Sequence, residues 1–371
     1  MVIAGTRPEV IKLAPLVHRM RHASCPLDVR FCLSGQHREL LDRVLCDLDV
    51  EPDLRLEPPS HASLTAGLAT LLGALGEAMD GLAPQGVVVQ GDTNTTLAAA
   101  MAAFHRRTPV FHVEAGLRTP SIDEPFPEEM NRRVVSRLAS LHFAPTPTAV
   151  HNLLAEGVPA ESILLTGNTG ADALRLYGRS VSRDAEAMIA RLRPACRTLL
   201  VTLHRRENSR LAQAVVQAVE EIVHQRPDVQ VIWVLHANGI RTQVSKALRG
   251  CPSVLLTEAL SYAGFVQLMR RADIILTDSG GVQEEAPSLG KPVLILRKVT
   301  ERGEAVEAGN GWMVGCERER VCSAVSELLD DPILYARMAR PHHAFGDGFA
   351  AERIVDALEA FFGVQRRSAS A

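Results

Sequence analysis

The sequence is poor in aromatic side chains. Phe, Trp and Tyr make up 4% of its 371 residues, while apolar residues reach 46%. The apolar content is therefore mostly Ala, Leu and Val, which suits helix-covered parallel sheets better than an all-β domain. The seven cysteines, at 25, 32, 46, 196, 251, 316 and 322, never stand in a C-x-x-C spacing. They read as reduced, packed residues of a cytoplasmic protein. No signal peptide and no run of 18 apolar residues is present, so neither secretion by that route nor a membrane span is expected. No long basic run exists and the net charge is −3, which weighs against a nucleic-acid partner. HExxH and EF-hand spacings are also missing, so no metal is expected.

What is present is an alternation of apolar strands and amphipathic helices. The length predicts two domains, each with its own core. Strands are expected at 2–4, 29–33, 87–89, 109–113, 141–144 and 163–166, then at 199–202, 229–235, 254–256, 274–276, 293–296 and 312–314. The first strand reads as clipped, with a start upstream. Residues 52–62 read as a Pro-rich polar loop and 167–182 as the connection between domains. Helices fall between the strands, and residues 351–362 form a last amphipathic one. The pattern predicts an α/β protein of two Rossmann-like domains facing across a cleft, with doubly wound parallel sheets. The expected domains are 1–170, 171–350 and a C-terminal helix and tail, 351–371.

Residues 276–296 hold the most informative stretch. Ser279, Gly280 and Gly281 make a turn between a strand and a short helix. Two glycines at a helix start let backbone N–H groups approach an anion, and the helix dipole favours negative charge there. A ligand-free tight turn has the same sequence. Glu284 and Glu285 close by are unexpected beside a phosphate unless one accepts hydroxyl hydrogen bonds from a sugar.

In open α/β sheets ligands bind outside the carboxyl ends of the strands. Arg7, Gln36, His37, Asp92, Glu114, His204, His236 and Ser279 all fall at such ends. Asp92, Glu114 and the helix-start residue Glu128 are three carboxylates that neighbouring elements can bring together, and paired carboxylates supply an acid and a base. Taken singly, Asp92 is also a good cap, Glu114 a turn acid and Glu128 a first-turn acid. His204, flanked by Arg205 and Arg206, is the side chain poised to titrate near neutrality. The charged run 297–305 is either a solvated face or a second clamp on the ligand of the Ser-Gly-Gly turn. Arg7 and Lys12 are placed to meet phosphates from the opposite wall.

The motifs GTRPEVIK (5–12), GQHRE (35–39), QGDTNT (90–95), HVEAGLRT (112–119), PEEMNR (127–132), HRREN (204–208), DSGGVQEEAPSLGKP (278–292) and TER (300–302) together resemble the UDP-N-acetylglucosamine 2-epimerase family, most closely its non-hydrolysing bacterial branch. The resemblance runs from Gly5 to about Ile354. It implies a glycosyltransferase-B-like fold whose C-terminal helix crosses back to the first domain. It implies interconversion of UDP-GlcNAc and UDP-ManNAc without cofactor or metal, by anti elimination of UDP to 2-acetamidoglucal and re-addition. Asp92, Glu114, Glu128 and His204 match the family's catalytic positions. Arg7, Lys12, His204, Phe265, Ser279, Gly280, Gly281, Glu285 and Arg302 match its UDP-contacting positions, with Glu285 suited to the ribose hydroxyls. Gln36, His37 and His236 mark a candidate allosteric site. Three departures stand out: Gly303 replaces a usual proline, HANG (236–239) replaces HxNP, and residues 58–62 lack a basic residue. A homodimer is the expected assembly. A hydrolysing epimerase, which would release ManNAc and UDP, a glycosyltransferase of the same fold and a nucleotide-sugar sensor are the competing readings.

Overall fold

The structure is a computed structural model that describes residues 1–35, 38–57, 63–203, 212–236 and 240–364, with the backbone alone at 38–40. The chain divides into two compact units, Met1–Leu176 with Phe345–Ala371, and Tyr177–Ala344.

The first unit is built on strands β1 (Val2–Ala4), β2 (Phe31–Leu33), β3 (Leu54–Arg55), β4 (Val87–Gln90), β5 (Val110–Val113), β6 (Leu141–Ala144) and β7 (Ile163–Leu165). All pair in parallel, in the order β3-β2-β1-β4-β5-β6-β7. The Val87-Val88-Val89 run is buried throughout, as a strand covered by helices on both faces requires. Against it pack Ala98, Ala99 and Ala102 of the helix Asn94–His105 and Leu71, Leu75 and Met79 of the helix Leu64–Leu82. Each fully buried Leu or Val contributes about 1.5–3 kcal/mol.

The terminal helix Ala350–Phe361 belongs to this unit. Its first turn is capped from afar: the Asp172 carboxylate accepts the N–H groups of Ala350 and Ala351 at 3.1 and 2.9 Å. Its end stands edge-on to the core, with Phe361 and Phe362 at 5.0 and 5.7 Å from the Phe111 ring. The return of the C-terminal helix to the first unit is as expected.

The second unit is built on β8 (Arg197–Thr202), β9 (Val229–Leu235), β10 (Val254–Glu258), β11 (Ile274–Thr277), β12 (Val293–Ile295) and β13 (Gly311–Met313). These are parallel too, in the order β10-β9-β8-β11-β12-β13. Trp233 is buried in its core among Val, Leu and Ile.

Both sheets reverse their winding once, between β1 and β4 in the first and between β8 and β11 in the second. Such a switch point opens a crevice at the carboxyl ends of its two strands. One correction concerns residues 52–62, expected as a loop. Leu54 and Arg55 form an edge strand, opposite Cys32 and Leu33; a two-residue edge strand paired on one side needs no apolar run. Among the described residues no helix is long and apolar enough to cross a membrane.

Candidate active site

At the first switch point the chain leaves β1 through Gly5 and Thr6 into the helix Arg7–Arg21. A Cβ on Gly5 would lie 2.1 Å from Thr95 Oγ1, so only glycine lets the turns after β1 and β4 close on each other. Glu9 fastens them. Its Oε2 accepts the N–H groups of Gly5 and Thr6 at 3.0 and 2.6 Å, and its Oε1 accepts the hydroxyls of Thr93 and Thr96 at 2.6 and 3.1 Å. Burial pushes the Glu9 carboxyl above its usual range, against the pull of these hydrogen bonds.

Asp92 and Glu114 stand at the ends of neighbouring strands. The pairing of Gln90 with Val113 sets their level, and Gly91 N–H extends it to Val113 O at 3.0 Å. His112, inside β5, supports the same turn through Nε2 and Gly91 O at 2.8 Å. Burial lowers the His112 pKa to about 3, so the ring is neutral and donates.

Glu114 adopts a left-handed φ of 64°, a conformation uncommon outside glycine and found where a site fixes a side chain. Its Oε2 collects the Lys12 ammonium, Gln90 Nε2 at 3.0 Å and Asn168 Nδ2 at 3.3 Å. Lys12 is itself buried. Arg7, one turn earlier on that helix, is half-buried.

Asp92 faces the helix Glu128–Leu138. Asn131 Nδ2 donates to its backbone carbonyl at 2.9 Å, and Arg132 Nη2 donates to its Oδ2. Glu128 opens this helix half-buried, in the first turn where the helix dipole favours an acid. The neighbouring Glu129 is the fully buried one. It accepts Thr119 N–H at 3.1 Å, Arg132 Nη1 at 3.1 Å and Arg133 Nε at 2.8 Å. Asp92, Glu114 and the Glu128 helix thus meet around adjacent strand ends. Sequence reasoning passed over Glu9, Gln90, Glu129, Arg132 and Asn168; the PEEMNR stretch carried the signal for two of them.

In the second unit, β11 ends at Thr277, whose Oγ1 accepts Ser279 N–H at 2.9 Å. Gly280 then opens the helix Gly280–Ser288. A Cβ on Gly280 would lie 2.5 Å from Arg302 Cζ, whereas one on Gly281 would meet nothing nearer than Ser279 Oγ at 4.0 Å. Arg302 is buried over that helix start. It donates Nε to Glu284 at 2.6 Å and Nη1 to Glu301, and Glu301 also holds Arg297 at 2.8 Å. Glu285 accepts the Tyr262 hydroxyl at 3.1 Å, and burial raises the Tyr262 pKa well above the ordinary phenol value. Phe265, on the helix Tyr262–Arg271, is half-exposed. Ser279, Gly280, Glu285 and Arg302 are therefore gathered around one helix.

His236 follows β9 and pairs its Nε2 with Thr202 Oγ1 at 2.7 Å. Gln36, His37 and His204 lie outside the described residues, as do 58–62 and 237–239. Among the described residues no group of three His, Cys, Asp or Glu stands close enough to hold a metal ion.

Fold and site together define a protein of two doubly wound α/β units, of the glycosyltransferase-B kind. Residues 19–359 match the family model for UDP-N-acetylglucosamine 2-epimerase, and the chain belongs to that family. It is 43% identical to a probable UDP-N-acetylglucosamine 2-epimerase of Ralstonia nicotianae, over 98% of this chain and 99% of that protein. It is 42% identical to the UDP-N-acetylglucosamine 2-epimerase of Escherichia coli K12, over 97% and 98%. The crystal structure of the Neisseria meningitidis UDP-GlcNAc 2-epimerase bound to UDP-GlcNAc is similar at a TM-score of 0.92 and 37% identity, over 97% and 99%.

Proposed function

We propose that this chain is a non-hydrolysing UDP-N-acetylglucosamine 2-epimerase that interconverts UDP-GlcNAc and UDP-ManNAc. The observation that carries the reading is the placement of Asp92 and Glu114 at adjacent strand ends beside a switch point, each met by a buried cation.

Epimerisation at C2 removes a hydrogen from one face of the carbon and returns one to the other. No carbonyl acidifies that C–H bond. Its removal is therefore coupled to departure of UDP from C1, in an anti elimination that leaves 2-acetamidoglucal. Protonation of C2 from the opposite face, with return of UDP to C1, gives the epimer. Atoms balance without water: one proton leaves C2 and one returns, and the C1–O bond to UDP breaks and re-forms.

Two faces need one group to take a proton and one to give it. Asp92, Glu114, Glu128 and His204 are assigned to this work. Arg7 and Lys12 of the first unit are assigned to the diphosphate. In the second unit the start of the helix Gly280–Ser288 suits the charge that grows on departing UDP. Arg302, Ser279, Gly281 and Phe265 are assigned to the nucleotide, and Glu285 to its ribose hydroxyls. His236, with Gln36 and His37, is assigned to a second, regulatory substrate site.

We place the protein in the cytoplasm, where its seven unpaired thiols stay reduced, and assign it a homodimeric state that light scattering would read. Incubation with UDP-GlcNAc and separation of the products tests the activity. UDP-ManNAc without free sugar is the expected product. Free ManNAc with UDP would mark a hydrolysing enzyme, and unchanged substrate would overturn the reading.

A further inference from the structure

Of the two adjacent acids at the start of the helix Glu128–Leu138, Glu128 is absorbed by the proposed chemistry, and Glu129 is not. Glu129 is nevertheless the more deeply set, with no solvent exposure. A carboxylate so buried is costly unless its charge and lone pairs are met. Here they are met by two arginines and a backbone N–H, and one of those arginines continues to Asp92.

The geometry of that arginine is specific. Arg132 presents one edge of its guanidinium, through Nη1, to Glu129 at 3.1 Å, and its Nη2 to Oδ2 of Asp92. A guanidinium offered to a single carboxylate tends to grip both oxygens with two parallel N–H bonds. Here Nη2 alone reaches Asp92 while Nη1 is drawn to Glu129, so the end-on form of that grip is not made. Oδ1 of Asp92 therefore makes no hydrogen bond among the described residues, and the side chain keeps 21% of its surface exposed while that of Arg132 keeps 3%. Asp92 and Glu129 thus share the Arg132 cation, and the exposed oxygen belongs to a carboxylate that is held from behind.

We propose that Glu129 is a positioning residue for Asp92: by holding Arg132 it restricts that arginine to one oxygen of Asp92 and presents the other to the substrate. The inference rests on the acid–base role of Asp92 in the proposed epimerase reaction. A purely structural role is the competing account, because Glu129 also fastens the preceding loop. It accepts Thr119 N–H, and Arg133 spans Glu129 and Thr119 O at 3.1 Å.

A double-mutant cycle separates the two, read as C2 hydrogen exchange of UDP-GlcNAc in deuterated buffer with the full-length protein. Glu129→Gln should lower kcat by about tenfold or more with KM within about twofold, since a misplaced acid–base group costs turnover rather than binding. In an Asp92→Asn background the same change should cost less than about twofold, because contacting residues that act as one unit are not additive. Arg132→Lys, which keeps the charge but cannot span both acids, should repeat the pattern and serves if Glu129→Gln fails to fold. Arg133→Ala, which removes the bridge from Glu129 to Thr119 O but leaves the Arg132 contacts to Glu129 and Asp92 in place, should lower the melting temperature and leave kcat within about twofold. Losses from Glu129→Gln or Arg132→Lys that multiply with that of Asp92→Asn would overturn the positioning role while leaving the epimerase reading intact. A wild-type protein without C2 exchange would overturn both.

Discussion

The described parts of the two switch points are built from different materials. The crevice of the first sheet is framed by side chains: Glu9, Asp92, Glu114 and Glu129 are tied to Lys12, Arg132, threonine hydroxyls and amides. Among the described residues, the carboxyl end of β11 in the second is framed by backbone, a Ser-Gly-Gly turn and a helix start, beside which Arg302 is locked to Glu284 and Glu301. Each depends on a glycine where two segments touch, Gly5 against Thr95 and Gly280 against Arg302. The difference fits the tasks proposed for the two units. Moving a proton needs titratable groups with fixed neighbours, whereas holding an anion needs N–H donors and a dipole that do not titrate.

The sharpest way to break this comparison is to remove charge without volume in the first unit. Glu114→Gln and Glu128→Gln should each lower turnover by about 10²–10⁴-fold, the range for a general acid–base group, while UDP affinity in calorimetry changes little. Near-normal turnover would remove that residue from the proton chemistry. A smaller effect is expected in the second unit. Gly280→Ala pushes a methyl group into the Arg302 guanidinium and should weaken UDP binding by about tenfold, equivalent to about 1.4 kcal/mol. Gly281→Ala has room for its methyl group and should stay within about threefold of wild type. Equal losses from the two alanines would remove the Arg302 contact as the cause.

The smallest effect is on stability. His112 is neutral in the fold, with its pKa lowered to about 3 from an ordinary value of 6.5. Between these values the unfolded chain binds a proton that the folded chain excludes. Stability is therefore complete above pH 6.5 and is lost as pH falls toward about 3, at up to about 1.4 kcal/mol per pH unit from this group. His112→Gln should lower stability at neutral pH and flatten the acid limb of a denaturant series by about one proton. An unchanged slope would contradict a neutral buried ring.

Much of this was legible in the sequence because parallel sheets advertise themselves. Apolar strands bracket the chain at regular intervals, and a polar residue just after one, such as Asp92, Glu114 or Ser279, falls at the carboxyl end where ligands bind. What was not legible depends on contacts between distant segments. Glu128 and Glu129 are neighbours in sequence but point about 100° apart on a helix, and only the packing of that helix against Asp92 decides which faces inward. The strand at Leu54–Arg55 is fixed by its pairing with β2 rather than by its own residues. Gly280 reads as room for an anion, yet the atoms that need its missing side chain belong to Arg302. His112 reads as part of an apolar strand, and its use appears only when Gly91 O is found opposite its ring.

The central claim is that the carboxylates of the first unit move the C2 hydrogen while the sugar stays in the enzyme's hands and returns to UDP. Incubating the wild-type protein with UDP-GlcNAc in deuterated water and following C2 by NMR tests it most directly. The account predicts deuterium at C2 of both UDP-GlcNAc and UDP-ManNAc, with the UDP-sugar pool intact. UDP-ManNAc formed with its C2 hydrogen retained, or no C2 exchange at all, would contradict it.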